Sequence, residues 1–289
     1  MILLSTGSLY TYGLARVFEF AAEAGFDGVE VLVDGRWDSR DPSYLGRLSR
    51  QYGLPIAVLH SPFVPEIQGW PSGQLERLER TVALAEELGV GTVVSHLPLR
   101  INGLEFRMMG FGNRRFFLPI PWNRRGAYYR FLQEGRYQEW ESTRGVRIAL
   151  ENMPARHLLG FPFNAFWFNR PMDLRRFPFL TMDTTHWGTF GRDPTEIYPH
   201  LRGRIVHVHL SNFNGAEHRT PWDGHLDLGR FLCLLREGDY RGAVSVECEP
   251  ESLNAWNAAL CLETLKRARS FCQEHLHGPR PGADTGNRT

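Results

Sequence analysis

The chain has 289 residues, 42% of them apolar, enough for one large domain with a sizeable core. Its 33 basic and 32 acidic side chains leave a net charge of +1, which excludes a global electrostatic pull toward nucleic acid or an anionic membrane. No stretch approaches the roughly 18 apolar residues of a membrane span, and four cysteines without a C-x-x-C pair exclude a zinc knuckle and a disulfide framework.

The chain opens on ILLSTG (2–7), a strand-like run too short, and without the basic flank, for a secretory signal. Reduced thiols and a cytoplasmic location are therefore expected. GLARVFEFAAEAG (13–25) then repeats apolar residues at helical spacing and stops at Gly25. GVEVLV (28–33) and PIAVLH (55–60) are the next strands, followed by a helix in QLERLERTVALAEELG (74–89). GTVVSH (91–96), VRIALEN (146–152), FLTMD (179–183), RIVHVHLS (204–211) and GAVSVEC (242–248) complete a set of eight. LNAWNAALCLETLKRARSFCQEH (253–275) reads as a long last helix.

Several of these strands are almost continuously apolar, as strands buried on both faces are. Eight strands, each followed by a helix or a long connection, predict parallel βαβ units closed into an α/β, (β/α)8 TIM barrel. No G-x-G-x-x-G follows the first strand, which argues against a dinucleotide-binding sheet. The prediction is a single barrel domain over 1–277 and a disordered Gly- and Pro-rich tail over 278–289. The connections after strands four (99–130) and five (154–177) are long, aromatic and Arg-rich. Segments of that length are expected to be lids or binding loops, or a contact between copies of the chain in a homo-oligomer.

The residues closing the strands carry the chemistry. Strand three ends in His60, four in His96, five in Glu151 and six in Asp183, with His186 just beyond in TMDTTHWG. Strand seven carries His209, and strand eight leads into Glu247. In a barrel these ends converge on one face, where active sites are built. Crowded carboxylates there are costly without cations, and mixed imidazole and carboxylate ligands suit zinc first, with manganese or iron as alternatives. His207 shares a face with His209 and reads as an interior supporting residue. The loop NFNGAEHRTPWDGHLDLG (212–229) offers His218 or His225 as a further ligand.

GFDGVEV, LHSPF, VVSHLP, ALENMP, MDTTH, HVHLSN and SVECEP, in this order, resemble the xylose isomerase-like TIM barrels, which include the endonuclease IV group and the sugar phosphate isomerase/epimerase type. In the first group three zinc ions are held by nine residues. The resemblance then implies His60 and His96 on one ion, Glu151 bridging to a second, Asp183, His209 and Glu247 completing it, and His186 on a third. The last two ligands form an Asp-x-His pair. Asp223-Gly-His225 fits it literally, but EHRTPWDGHLDL also resembles the H-x-x-P-x-x-G-x-L-D run of the isomerase-like members, which selects His218 and sets Ala216 in place of the Asp. The epimerase type instead uses one metal held by the equivalents of Glu151, Asp183, His209 and Glu247.

Two chemistries follow. The first is a hydrolase with two or three divalent metal ions cleaving a phosphoester, with Arg114 and Arg115 of the long connection placed to bind phosphate. Phe63 sits where the endonuclease group carries a DNA-wedging aromatic, so a nucleic acid joins small phosphorylated compounds as a substrate class. The second is proton transfer between Glu151 and Glu247 on a sugar or sugar phosphate, an isomerase or epimerase. In both, Trp187 and Asn212 are expected to bind substrate.

Overall fold

Short apolar runs bounded by Gly, Pro and Asp become the strands. In the computed structural model these are β1 (Ile2–Ser5), β2 (Gly28–Leu32), β3 (Ile56–His60), β4 (Thr92–His96), β5 (Arg147–Glu151), β6 (Leu180–Asp183), β7 (Ile205–Leu210) and β8 (Ala243–Val246). Each pairs in parallel with its sequence neighbours, and β8 closes on β1 through Ile2↔Val244 and Leu4↔Val246. The result is the expected (β/α)8 barrel. The structure describes residues 1–64, 66–101, 103–107, 115–119, 125–158 and 160–278, and only the backbone of 103–107 and 115–119. The tail beyond 278 lies outside them.

The helices form the outer ring because each presents one apolar stripe. In Gln74–Leu88, the buried residues Leu78, Val82 and Ala85 share a face. That helix ends where Gly89, at φ 70°, returns its N–H to the Ala85 carbonyl, a left-handed cap that glycine adopts at no steric cost. Pro42–Tyr52 starts where the Asp41 side chain accepts from the Tyr44 N–H. No helix of the described residues is long and apolar enough to cross a membrane.

Two expectations need correction. The last helix spans Ala258–His277 and does not begin at 253. The Asn257 side chain accepts from the N–H groups of Ala259 and Leu260, and the residues before it turn so that Leu253 is buried. The long connections are also more ordered than loops. Gly103–Arg107 pairs antiparallel with Arg115–Pro119, and Arg156–Leu158 with Phe161–Phe163. The two connections are stitched together by Arg100 N–H to Ala165 O at 2.7 Å and Trp167 N–H to Pro98 O at 2.9 Å.

Glu141, in the helix Tyr137–Arg144, accepts from the Ile148 N–H at 3.1 Å at the entry to β5. Burial pushes its carboxyl up to about 7. The folded chain therefore holds a proton that the unfolded chain releases between the ordinary carboxylate range and neutrality, so this group lowers stability as pH rises through that window. Glu141→Gln keeps the acceptor and removes the charge. Its melting temperature relative to the parent is expected to rise between pH 5 and pH 8. A difference that does not change with pH in thermal scans would contradict the assignment.

Candidate metal centre

Register places the chemistry. His96 sits opposite Glu151 across β4 and β5, and Asp183 opposite His209 across β6 and β7. His96, Glu151 and Asp183 thus end their strands, and His209 stands one residue from the end of its own, at the same mouth. Beneath lies a small apolar floor of Leu3, Val58 and Val94. Gly188 ends the short helix Thr184–Gly188 after β6, and a Cβ there would meet Phe213 at 2.7 Å, so only glycine lets the following loop close on it. Asp183 caps that helix by accepting from the His186 N–H at 2.9 Å, which fixes His186 over the mouth.

Glu151 is the hub. Its Oε2 lies 3.1 Å from His60 Nε2 and 3.1 Å from His96 Nε2. Its Oε1 lies 3.1 Å from His209 Nδ1 and 3.5 Å from His186 Nδ1. His209 Nδ1 also lies 2.9 Å from Glu247 Oε2. Two rings are oriented by backbone: His60 Nδ1 donates to Ser61 O at 2.8 Å and His186 Nδ1 to Asn152 O at 2.7 Å. In each, Nε2 is turned the other way, toward Glu151 for His60 and toward Glu217 for His186, an orientation in which it could serve as a ligand atom.

The electrostatics call for positive charge. Burial opposes ionisation of Glu151, yet His209 and His96 beside it hold its carboxyl well below the usual range. Glu247, against the same burial, is drawn down to about 2 by His209. His209 in turn is raised well above its ordinary value: burial works against its proton, but Glu247, Glu30 and Glu151 outweigh it. Burial lowers His96, whereas the hydrogen bond to Glu151 raises His60 despite burial. Asp183 is pushed up to about 6 by burial.

A divalent ion fits this set. Asp183 Oδ2 is fully buried and has no hydrogen-bond partner among the described residues, although His186 Nδ1 is only 3.6 Å away. A buried carboxylate oxygen with no donor is costly unless something charged meets it. Three groups bring ligand atoms within 4.8 Å of one another at the mouth: His60 with Glu151 and His209; Asp183 with His186 and His218; and Glu151 with Asp183, His209 and Glu247. All eight metal-ligand residues expected from the sequence are in this neighbourhood, His96 through its contact with Glu151.

The loop after β7 brings in His218 and leaves out His225. His218, at φ 56°, occupies a left-handed conformation that costs a non-glycine residue on the order of 1 kcal/mol. Its carbonyl accepts from Glu249 N–H at 2.8 Å, and its ring meets His186 edge-on at 5.5 Å. His225 is exposed and packs on Phe213, while Asp223 pairs with Arg219 at 2.8 Å.

A cavity of about 380 Å³ opens over the centre, lined by His60, His96, Glu151, His186, His218 and Glu247, with Phe63, Arg77, Arg156 and Glu217 at its wall. Phe63 is 55% exposed and stacks on His96 at 5.4 Å. Two expected substrate contacts are corrected. Trp187 is buried against Phe190, and Asn212 is buried while bonding Pro221 and Leu226 to close the β7 loop; both support structure instead of lining the cavity. Arg114 lies outside the described residues, and for Arg115 only its place in the strand Arg115–Pro119 is described.

Three participants escaped the sequence reading. Glu30 is buried in β2 and accepts from His209 and His207. Asn152 bonds both the N–H and the carbonyl of Asp183. Glu217 faces His186 Nε2 at 4.0 Å. A signal for Glu30 was present: one charge inside the otherwise apolar GVEVLV.

These features define a class, the closed (β/α)8 barrel with a cluster of His, Asp and Glu donors that could hold metal at the carboxyl ends of its strands. The family profile described as xylose isomerase-like TIM barrel matches residues 18–270, and the chain belongs to that family. An uncharacterised protein of Mycobacterium leprae (strain TN) is 29% identical over 303 residues, spanning 93% of this chain and 96% of its own. Among solved structures, a D-tagatose 3-epimerase-like protein superposes with a TM-score of 0.64 at 24% identity, covering 94% of this chain and 98% of its own. An AP endonuclease, family 2, from Brucella melitensis gives 0.61 at 20% identity, covering 89% and 98%.

Proposed function

We propose that the protein is a multinuclear divalent-metal enzyme that hydrolyses a phosphoester. The observation that carries this reading is the division of labour at Glu151. One oxygen faces His60 and His96 and the other faces His209, so the carboxylate stands between two sets of donors and could be shared by two ions. His60 and His96 would hold one ion, Asp183, His209 and Glu247 a second, and His186 with His218 a third position. Bound divalent ions supply Lewis acidity and lower the pKa of water. The chain's own residues orient and enclose. Ser61 and Asn152 carbonyls fix two rings, and Phe63 and Arg156 wall the cavity. A volume of about 380 Å³ has room for a small phosphorylated compound.

A second reading rests on its own observation. Glu151 and Glu247 both reach His209 Nδ1, at 3.1 and 2.9 Å, so two carboxylates flank one point beside the cavity. That geometry serves proton transfer on a sugar, the activity for which the D-tagatose 3-epimerase-like protein is named. The test is one protein preparation on two panels: small phosphomonoesters and phosphodiesters with zinc or manganese, and ketoses in deuterated water. Metal-dependent cleavage, read as phosphate release from the monoesters or alcohol release from the diesters, without deuterium uptake supports hydrolysis. Deuterium uptake without cleavage of any ester overturns it in favour of epimerisation.

A further inference from the structure

Glu30 projects from β2 into the barrel and is fully buried. Its two oxygens are divided between two histidines of β7. Oε1 lies 2.9 Å from His209 Nε2 and Oε2 lies 2.9 Å from His207 Nε2. The opposite edge of the His209 ring is the one that faces the mouth, with Nδ1 3.1 Å from Glu151 Oε1, 2.9 Å from Glu247 Oε2 and 3.9 Å from Asp183 Oδ2. A carboxylate cannot donate, so both ring nitrogens face acceptors; a cation among Glu151, Glu247 and Asp183 would take the place of a proton on Nδ1, whereas Nε2, turned away from the mouth, would keep its N–H on Glu30.

We propose that Glu30 is a positioning residue: it holds His209 with Nε2 protonated toward itself and presents Nδ1 to the metal centre. His207 is the second strut, donating to the other oxygen so that the carboxylate cannot rotate away. The inference rests on the reading of His209 as a metal ligand and assigns its ligand atom and its support. A carboxylate behind a ligating histidine fixes the ring and raises its basicity, and loss of such a support costs typically 10–100-fold in metal affinity. Glu30 itself touches neither the cavity nor substrate.

The test pairs Glu30→Gln with the parent protein. Gln removes the charge from both histidines and offers one acceptor and an NH2 group, so one of the two also loses its acceptor. Zinc affinity of the metal-free variant, measured by chelator competition, is expected to fall about 10–100-fold, with its fold verified by circular dichroism. An unchanged zinc affinity overturns the proposal. The second readout is side-chain nitrogen NMR of His209 in the parent, which needs no variant. A proton on Nε2 in both the metal-free and the zinc-loaded protein supports it. Zinc on Nε2, or an unprotonated Nε2, overturns it. Parent protein that binds no zinc would overturn the metal reading of the site, while the Nε2 proton in the metal-free protein still decides the orientation.

Discussion

Glu151→Gln is expected to disable more than one ligand group in a single step. In the native chain the carboxylate meets four imidazoles, two through each oxygen. Gln keeps one acceptor oxygen and sets an NH2 group against the other pair of rings. Under the proposed function, the one carboxylate shared by the His60–His96 side and the His209 side would be lost, and with it the means to hold two ions close together. Metal content should fall to less than half that of the parent, and turnover by more than the roughly 100-fold that loss of a mere supporting group costs. Elemental analysis and steady-state rates check this, with circular dichroism confirming the fold. A variant with parental metal content and parental turnover would remove Glu151 from the centre.

The second large effect separates the two readings. His60 serves the side of Glu151 that the epimerase reading does not need. Its Nδ1 is tied to Ser61 O, so its only chemistry toward the mouth is through Nε2. His60→Ala is therefore expected to remove one ion while Asp183, His209 and Glu247 keep another. Phosphoester hydrolysis should fall by about 100-fold or more, because the attacking and leaving oxygens no longer share two charges. If the reaction is proton transfer on a sugar with one ion, turnover should stay within a few-fold of the parent. Rates and metal content measured on the same sample distinguish the outcomes.

The barrel was legible because its strands are buried on both faces and its helices on one, so period and composition mark each element. The mouth was legible for the same reason: a His, Asp or Glu closing an apolar run has nowhere to go but the carboxyl end of a barrel strand. Glu30 was not legible as part of it, because it lies mid-strand and its role depends on β7, far away in sequence, bringing two histidines beside it. Trp187 and Asn212 misled because polarity and aromaticity near a ligand suggest contact with substrate. Burial decides otherwise, and it is set by how the loop over 212–226 folds back. Between His218 and His225 the H-x-x-P-x-x-G-x-L-D run pointed to His218 while Asp223-Gly-His225 pointed to the other, and it is the left-handed turn at 218 that brings the His218 ring beside His186. The start of the last helix depended on Asn257 as its cap, a residue that sequence periodicity alone passes over.

The most direct test of the central claim is elemental analysis of the protein purified without chelator. Two or more zinc, manganese or iron ions per chain are expected. A reproducible value of one would contradict the bridged centre, and none after reconstitution with excess cation would contradict any metal at the barrel mouth.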